Sequence, residues 1–325
     1  MSRVLVTGAS GWLGAAVARA LVAAGHEVRT LQRRPSGLEG GEDVLGSVTD
    51  PSALTRAVAG VDAVVHLAAK VSFAGAEAEF RAVNVAGTER LLSAAKRSGV
   101  RRFVLVSSPS VAHTGEPIMG QDATPAQPDR ARGAYARTKA AAEVAALGAD
   151  APGFAVVAVR PHVVWGPGDP QLVARIQERA AGGRLPLVGT GAALVDSTYL
   201  DDAVSGILAA LAAAERVHGN AYVLTSGEPR PIAELIAGFC VAAGIAPPSR
   251  RVPAAAAKGA GAVVEAVWRV RPGQDEPPMT RFLAEQLSTA HWFDLRRTRR
   301  DLAWEPQVGV TEGLRRLAAH HATTR

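Results

Sequence analysis

Residues 3–14 read Arg3-Val4-Leu5-Val6-Thr7-Gly8-Ala9-Ser10-Gly11-Trp12-Leu13-Gly14. The apolar run Arg3–Val6 has the character of a buried strand. The stretch from Ala15 to Ala24, closed by Gly25, has the pattern of a helix. Strand, glycine turn and helix is the context in which a G-x-x-G-x-x-G spacing points to a dinucleotide site. Gly8 permits a sharp exit from the strand, and Gly11 lets backbone N–H groups approach a pyrophosphate. Gly14 lets the helix pack closely on the sheet. The anion then sits at the positive end of the helix.

Outward from this turn, strands and helices alternate at the rhythm of a parallel sheet. Residues 27–32, 43–48, 61–68, 102–107 and 154–160 read as strands. Helices are expected from Pro51 to Gly60, Asn84 to Ser98 and Ala134 to Leu147. Beyond Pro161 a loop, Trp165-Gly166-Pro167-Gly168-Asp169-Pro170, precedes a change of texture. Residues 199–213 and 221–225 read as a helix and strand returning to the sheet. The expected fold class is α/β, a doubly wound parallel Rossmann sheet with a smaller, mainly helical substrate lobe. Residues 1–165 and 196–225 would form the sheet domain, and 166–195 with 226–325 the lobe. Ligands in such sheets collect beyond the carboxyl ends of the strands. Ser10, Trp12 and Leu13 in the turn, Ala68, Pro161 and Val163 therefore join the three glycines as candidate cofactor contacts.

Composition narrows the function classes. The 325 residues are 48% hydrophobic and 20% charged, enough for a large core. Lys plus Arg number 36 against 30 acids, an excess of +6 that is scattered except at Arg296-Arg297 and Arg299-Arg300. Without stacking aromatics or a groove motif, those arginines read as a solvated helix face, not a nucleic-acid surface. Cys240 stands alone, which excludes an internal disulfide and a cysteine metal cluster. His66 and His162 lie near the cofactor strands without a ligand cluster, so no metal is expected. The first apolar run is too short for a secretory leader, and no window reaches membrane-span length. The expectation is a cytoplasmic protein. Residues 254–270, flanked by Lys258 and Arg269, offer at most weak peripheral membrane contact, because their apolar residues are mostly alanine.

Tyr135-Ala136-Arg137-Thr138-Lys139 puts a phenol and an ammonium four residues apart, on one face of the expected helix. A nearby cation favours phenolate and would lower a pKa that is otherwise about 10. Ser107-Ser108, at a strand end on the same rim, supplies hydroxyls able to bond a carbonyl oxygen. Together TGASGWLG, HLAA, NVAGT, SSPSV and YARTK resemble the extended short-chain dehydrogenase/reductase family along nearly the whole chain. The resemblance implies Tyr135 as acid/base, Lys139 as its activator and Ser108 as the carbonyl-orienting hydroxyl, with Ser107 the alternative. It also implies that Asn84 sits near the cofactor, although a helix cap explains Asn84 equally well. A homodimer through the helices bearing NVAGT and Y-x-x-x-K is implied by the same family.

An NAD enzyme usually places an acid on the ribose 2′-hydroxyl after the second strand. Here that strand ends Leu31-Gln32-Arg33-Arg34, with no carboxylate and two guanidiniums suited to a 2′-phosphate. NADP(H) is therefore expected in preference to NAD(H). Ser47 stands where the family often carries an adenine-binding Asp. Family dehydratases carry an Asp-Glu pair after the catalytic hydroxyl, where this chain has Pro109 and Ser110. Hydride transfer with one proton is the chemistry left. RPHVVWGPGDP, VDSTYLDD, SGEP and TRFLAEQLSTAHW are similar to reductases of 2-alkyl-3-oxoalkanoates in long-chain olefin formation. They are also similar to 3β-hydroxysteroid and sterol-carboxylate dehydrogenases. The implied reaction reduces the 3-keto group of a large hydrophobic small molecule, and residues 254–268 and 282–293 would line a greasy cleft. The rival readings are a nucleotide-sugar epimerase and, from another class, a non-catalytic dinucleotide sensor.

Overall fold

The computed structural model describes residues 2–72, 75–270 and 280–324. In chain order the first half holds β1 (Arg3–Thr7), α1 (Trp12–Ala23), β2 (Glu27–Gln32), β3 (Gly41–Leu45), α2 (Pro51–Val58) and β4 (Ala63–His66). It continues with α3 (Glu77–Phe80), α4 (Gly87–Arg97), β5 (Arg102–Val106), β6 (Ile118–Gln121), α5 (Gly133–Gly148) and β7 (Ala155–Pro161). Next come β8 (Val164–Trp165), α6 (Val173–Ala181), β9 (Leu187–Val188), β10 (Leu194–Val195), β11 (Thr198–Tyr199), α7 (Leu200–Val217) and β12 (Asn220–Leu224). The chain closes with β13 (Arg230–Pro231), α8 (Ile232–Ala242), β14 (Arg251–Val252), α9 (Ala254–Val270), α10 (Arg281–Ser288), β15 (His291–Phe293), α11 (Arg296–Leu302) and α12 (Val310–Thr323).

Seven strands form one parallel sheet in the order β12-β7-β5-β4-β1-β2-β3. This is a Rossmann sheet, and its order reverses between β1 and β4, the switch point at which ligands bind. Strand alternation divides the apolar side chains between two cores. Val4 and Val6 join Val17 and Leu21 of α1 and Ile207 and Leu211 of α7 on one face. Leu5 joins Leu54 and Val58 of α2, Leu91 of α4 and Ala146 of α5 on the other. At about 1.5–3 kcal/mol per fully buried aliphatic side chain, two such layers hold the strand ends rigid. Local signals set the helix limits. Gly25 closes α1 at φ +81°. The Asp50 carboxylate accepts the Ser52 N–H at 2.9 Å to open α2, with Pro51 in the first helical position.

The second half adds structure that short-range patterns do not announce. Strands β13, β10, β15 and β6 form a mixed four-stranded sheet, and β11-β8 and β14-β9 form two-stranded pairs. The lobe is therefore helices plus a small sheet. Trp165, Val173, Leu235, Phe239, Val310 and Leu317 make its main core. Val263 and Val267 of α9 are exposed, and the Arg269 side chain lies outside the described residues. Among the described residues no helix is long and apolar enough to cross a membrane.

Candidate active site

One cleft of about 1010 Å³ follows the carboxyl ends of the central strands. Gly8, Ser10, Gly11, Trp12, Leu13 and Gly14 line it after β1, and Arg33 and Arg34 after β2. Ala68 lines it after β4, Ser107 and Ser108 after β5, Tyr135 and Lys139 from α5, and Pro161 and Val163 at the end of β7.

The glycine turn is closed by contacts that forbid side chains. Gly8 has φ +78°, and a Cβ there would lie 3.0 Å from the Ala68 backbone. A Cβ on Gly14 would lie 2.2 Å from the Gly8 carbonyl oxygen, so the helix packs on the turn itself. The start of α1 has no side-chain cap, which leaves its first N–H groups for an anion. The Trp12 indole N–H donates to the Pro167 carbonyl at 3.1 Å and ties the turn to the 166–170 loop.

At the other end, Ser108 and Tyr135 both line the cleft, and Ser108 Oγ accepts from the Ser110 N–H at 3.3 Å and from the Ser110 hydroxyl at 3.0 Å. Burial pushes the Tyr135 phenol up to about 12, and the nearby Ser108 hydroxyl pulls in the opposite direction. The expected lowering by Lys139 is not found. Lys139 Nζ instead donates to the Val106 backbone carbonyl at 2.6 Å. Burial brings Lys139 down to about 8, opposed by the Glu143 carboxylate. Glu143 is itself bound bidentately by Arg160, buried on both sides. Ser107 Oγ is buried in the cleft wall and has no hydrogen-bond partner among the described residues, which leaves it free to bond a ligand. Val163 adopts φ +46°, a strained conformation for a β-branched residue that costs about 1–3 kcal/mol.

Asn84 is not a helix cap, because α3, a π-helical segment Arg81–Ala86 and α4 run on continuously through it, and it stands behind the cleft wall. Its Oδ1 accepts the Lys70 N–H at 2.7 Å, and its Nδ2 donates to the Lys70 carbonyl at 3.2 Å and Thr138 Oγ1 at 3.1 Å. Asn84 is a clamp between the loop after β4 and α5. His66 belongs to a neighbouring buried chain. Thr88 Oγ1 donates to the Asn84 carbonyl, so it accepts from His66 Nε2 at 2.9 Å. His66 Nδ1 then accepts from Thr7 Oγ1, which accepts the Ala68 N–H. Burial, aided by the Lys139 charge, drives His66 down to about 3. His162 Nε2 lies 2.7 Å from His291 Nδ1. Among the described residues no three side chains are grouped to hold a metal ion.

Sequence reasoning missed Gln32, Lys70, Gly46 and the 169–172 segment, all of which line the cleft. Gln32 Nε2 donates to Thr30 and Asp43, while its buried Oε1 has no partner. Asp43 is engaged by Ser36, Thr30 and Gln32 and does not line the cleft. The glycine cradle, uncapped helix and unpartnered Ser107 and Gln32 oxygens fit a bound dinucleotide.

The model of the NAD dependent epimerase/dehydratase family matches residues 4–225. The chain belongs to this family. Within it, the 2-alkyl-3-oxoalkanoate reductase of Stenotrophomonas maltophilia is 42% identical over 98% of this chain and 99% of its own length. A 3 beta-hydroxysteroid dehydrogenase/Delta 5→4-isomerase of Mycobacterium tuberculosis is 34% identical over 97% of this chain and 89% of its own. A solved short-chain dehydrogenase/reductase superfamily protein from Agrobacterium tumefaciens, with bound NAD, superposes with a TM-score of 0.74. It is 26% identical and covers 99% of this chain and 98% of that one. This member of the epimerase/dehydratase family is an NAD(P)-dependent oxidoreductase of the extended short-chain type.

Proposed function

We propose that the protein is an NADP(H)-dependent reductase of the 3-keto group of long-chain 2-alkyl-3-oxoalkanoates. The observation that carries this reading is that Ser108, Tyr135 and Lys139 line one cleft with the glycine cradle. A full-length relative named for that reduction supports the substrate class.

The backbone of Gly8, Gly11 and Gly14 at the start of α1 would hold the pyrophosphate. Arg33 and Arg34 would bind a ribose 2′-phosphate. Glu79 and Asp169 are the carboxylates lining the cleft among the described residues. Glu79 bonds Lys70, and Asp169 bonds the N–H groups that open α6. Neither is placed to repel that phosphate at the Arg33–Arg34 end. The dinucleotide, when bound, supplies the hydride that adds to the 3-keto carbon.

The chain's own residues handle the oxygen. Ser108 and Tyr135 line the same cleft, and the Ser108 hydroxyl lies close enough to act on the acidity of the phenol, so both hydroxyls can converge on a single carbonyl oxygen. Ser108 orients that oxygen, and Tyr135 donates its proton to it as negative charge develops. A phenol held up at about 12 is protonated at neutral pH, as a proton donor requires. Lys139, whose Nζ donates to the Val106 carbonyl in the cleft wall, adds a positive charge to the cleft and a donor for the ribose of a bound dinucleotide.

The 34% identical steroid dehydrogenase supports a second reading, oxidation of a 3β-hydroxysteroid by the same residues run in reverse. Parallel assays of NADPH oxidation with 2-alkyl-3-keto acids, 3-ketosteroids and UDP-sugars decide between these readings. Turnover of the keto acids is expected, and preference for either other class overturns the assignment. We extend the proposal to a homodimer through α4 and α5, which pack on one another and leave Val144 exposed.

A further inference from the structure

We propose that Lys70 is the subsite for the substrate carboxylate, held ready by Glu79 and released when an acid binds. The inference rests on the keto-acid reading above and names the group that would recognise the acid. A 3-oxo acid carries its carboxylate two carbons from the carbonyl that accepts hydride. Negative charge growing on that oxygen is opposed by the carboxylate nearby. A fixed cation beside both offsets the repulsion.

Lys70 sits on the cleft wall with Val71, Ser72 and Val83. Its backbone is fixed relative to the reacting groups. Asn84 takes the Lys70 N–H and C=O and also bonds Thr138, which lies between Tyr135 and Lys139 on α5. A single side chain thus joins the Lys70 backbone to the reaction helix.

Among the described residues the ammonium is confined but not saturated. Nζ donates to Glu79 Oε2 at 2.6 Å and lies 5.3 Å from the centre of the Phe80 ring. It rests against Gly75, where a Cβ would come within 3.3 Å of Nζ. An ammonium has three donors, and Glu79 is the one acceptor given to Lys70 among the described residues. The Glu79 side chain is 59% exposed and the Lys70 side chain 31%, so water can take over the Glu79 carboxylate when another anion arrives.

The remaining cations on the wall are committed elsewhere. Arg33 and Arg34 stand after β2 beside Gln32, and Lys139 donates to Val106. A neutral ketone would leave the Lys70–Glu79 pair intact. An acid would exchange with it, so the pair discriminates acids from neutral analogues of the same shape.

The test uses the oxidative direction, in which the 3-hydroxy acid is chemically stable. Wild type, Lys70→Met, Lys70→Arg and Glu79→Gln are assayed with a 2-alkyl-3-hydroxyalkanoate and with its methyl ester. NADPH binding is titrated in each by fluorescence. Lys70→Met is expected to raise KM for the acid about tenfold, leaving the ester and NADPH affinity unchanged. Lys70→Arg is expected to retain preference for the acid, and Glu79→Gln to lower its KM. Equal losses on acid and ester, weakened NADPH binding in Lys70→Met, or unchanged acid kinetics each overturn the subsite. Failure of the keto-acid reading shows separately: wild type then turns over neither compound while oxidising a 3β-hydroxysteroid, and the subsite falls with it.

Discussion

Lys139 donates from Nζ to the backbone carbonyl of Val106 at 2.6 Å, inside the wall of the cleft. Burial holds its ammonium at about 8. The cation is therefore complete at pH 6–7 and is lost as pH rises through about 8. The reductive kcat is expected to be level near neutrality and to fall above about pH 8, read from a steady-state pH profile. A profile that stays flat to about pH 10 removes the Lys139 charge from the reaction.

Tyr135→Phe removes the proton donor without emptying the cleft. Its kcat is expected to drop about 10²–10⁴-fold while NADPH still quenches protein fluorescence. Ser108→Ala should lose about 10²–10³-fold, because in the proposed mechanism its hydroxyl orients the oxygen that receives the proton. Ser107→Ala should retain most of the rate. The reverse order of the two serine variants would identify Ser107 as the orienting hydroxyl.

The sheet and the site were legible to different depths. Gly8, Gly11 and Gly14 lie at fixed offsets between a strand and a helix, so the turn was readable. Tyr135 and Lys139 lie one helical turn apart, so their shared face was readable too. The partner of Lys139 was not, because a backbone carbonyl thirty-three residues upstream leaves no side-chain signature. The partners of Asn84 are hidden for a related reason. These three, at Lys70 and Thr138, are brought together only by the packed helices. Strands β6 and β15 pair Ile118 with His291 across most of the chain, and strands of three or four residues show no period to read.

Arg33 and Arg34 line the cleft after β2 and are proposed to select the phosphorylated cofactor. The double variant Arg33→Ala, Arg34→Ala is expected to raise KM for NADPH about 10–100-fold, since hydrogen bonds to charged groups contribute about 1.5–3 kcal/mol. KM for NADH should remain unchanged. Parallel losses with both cofactors would show that the arginines do not read the 2′-phosphate.

Buried imidazoles make the fold sensitive to acid. Burial lowers His66 to about 3 and His113 to about 4. Both ring nitrogens of His113 lack a partner among the described residues. In the unfolded chain a histidine takes up its proton near about 6.5, so acid favours unfolding. The stability these neutral rings confer is complete above about pH 6.5 and is lost as pH falls toward their folded values. Urea unfolding should show a loss of about 2 kcal/mol per ring by about pH 5. In His113→Phe that decline should be visibly shallower, and an identical slope would count against His113 as its source.

Helix α5 is anchored through Thr138, Lys139 and Glu143, whose partners Asn84, Val106 and Arg160 all precede residue 162. The bond-making apparatus is thus mechanically self-contained, owing none of these anchors to the lobe formed by α8, α9, α10 and α12. Descendants of such a chain can reshape what they accept by remodelling that lobe while the proton-handling hardware is inherited untouched. Grafting the lobe of one relative onto the sheet of another is the laboratory version of that inheritance.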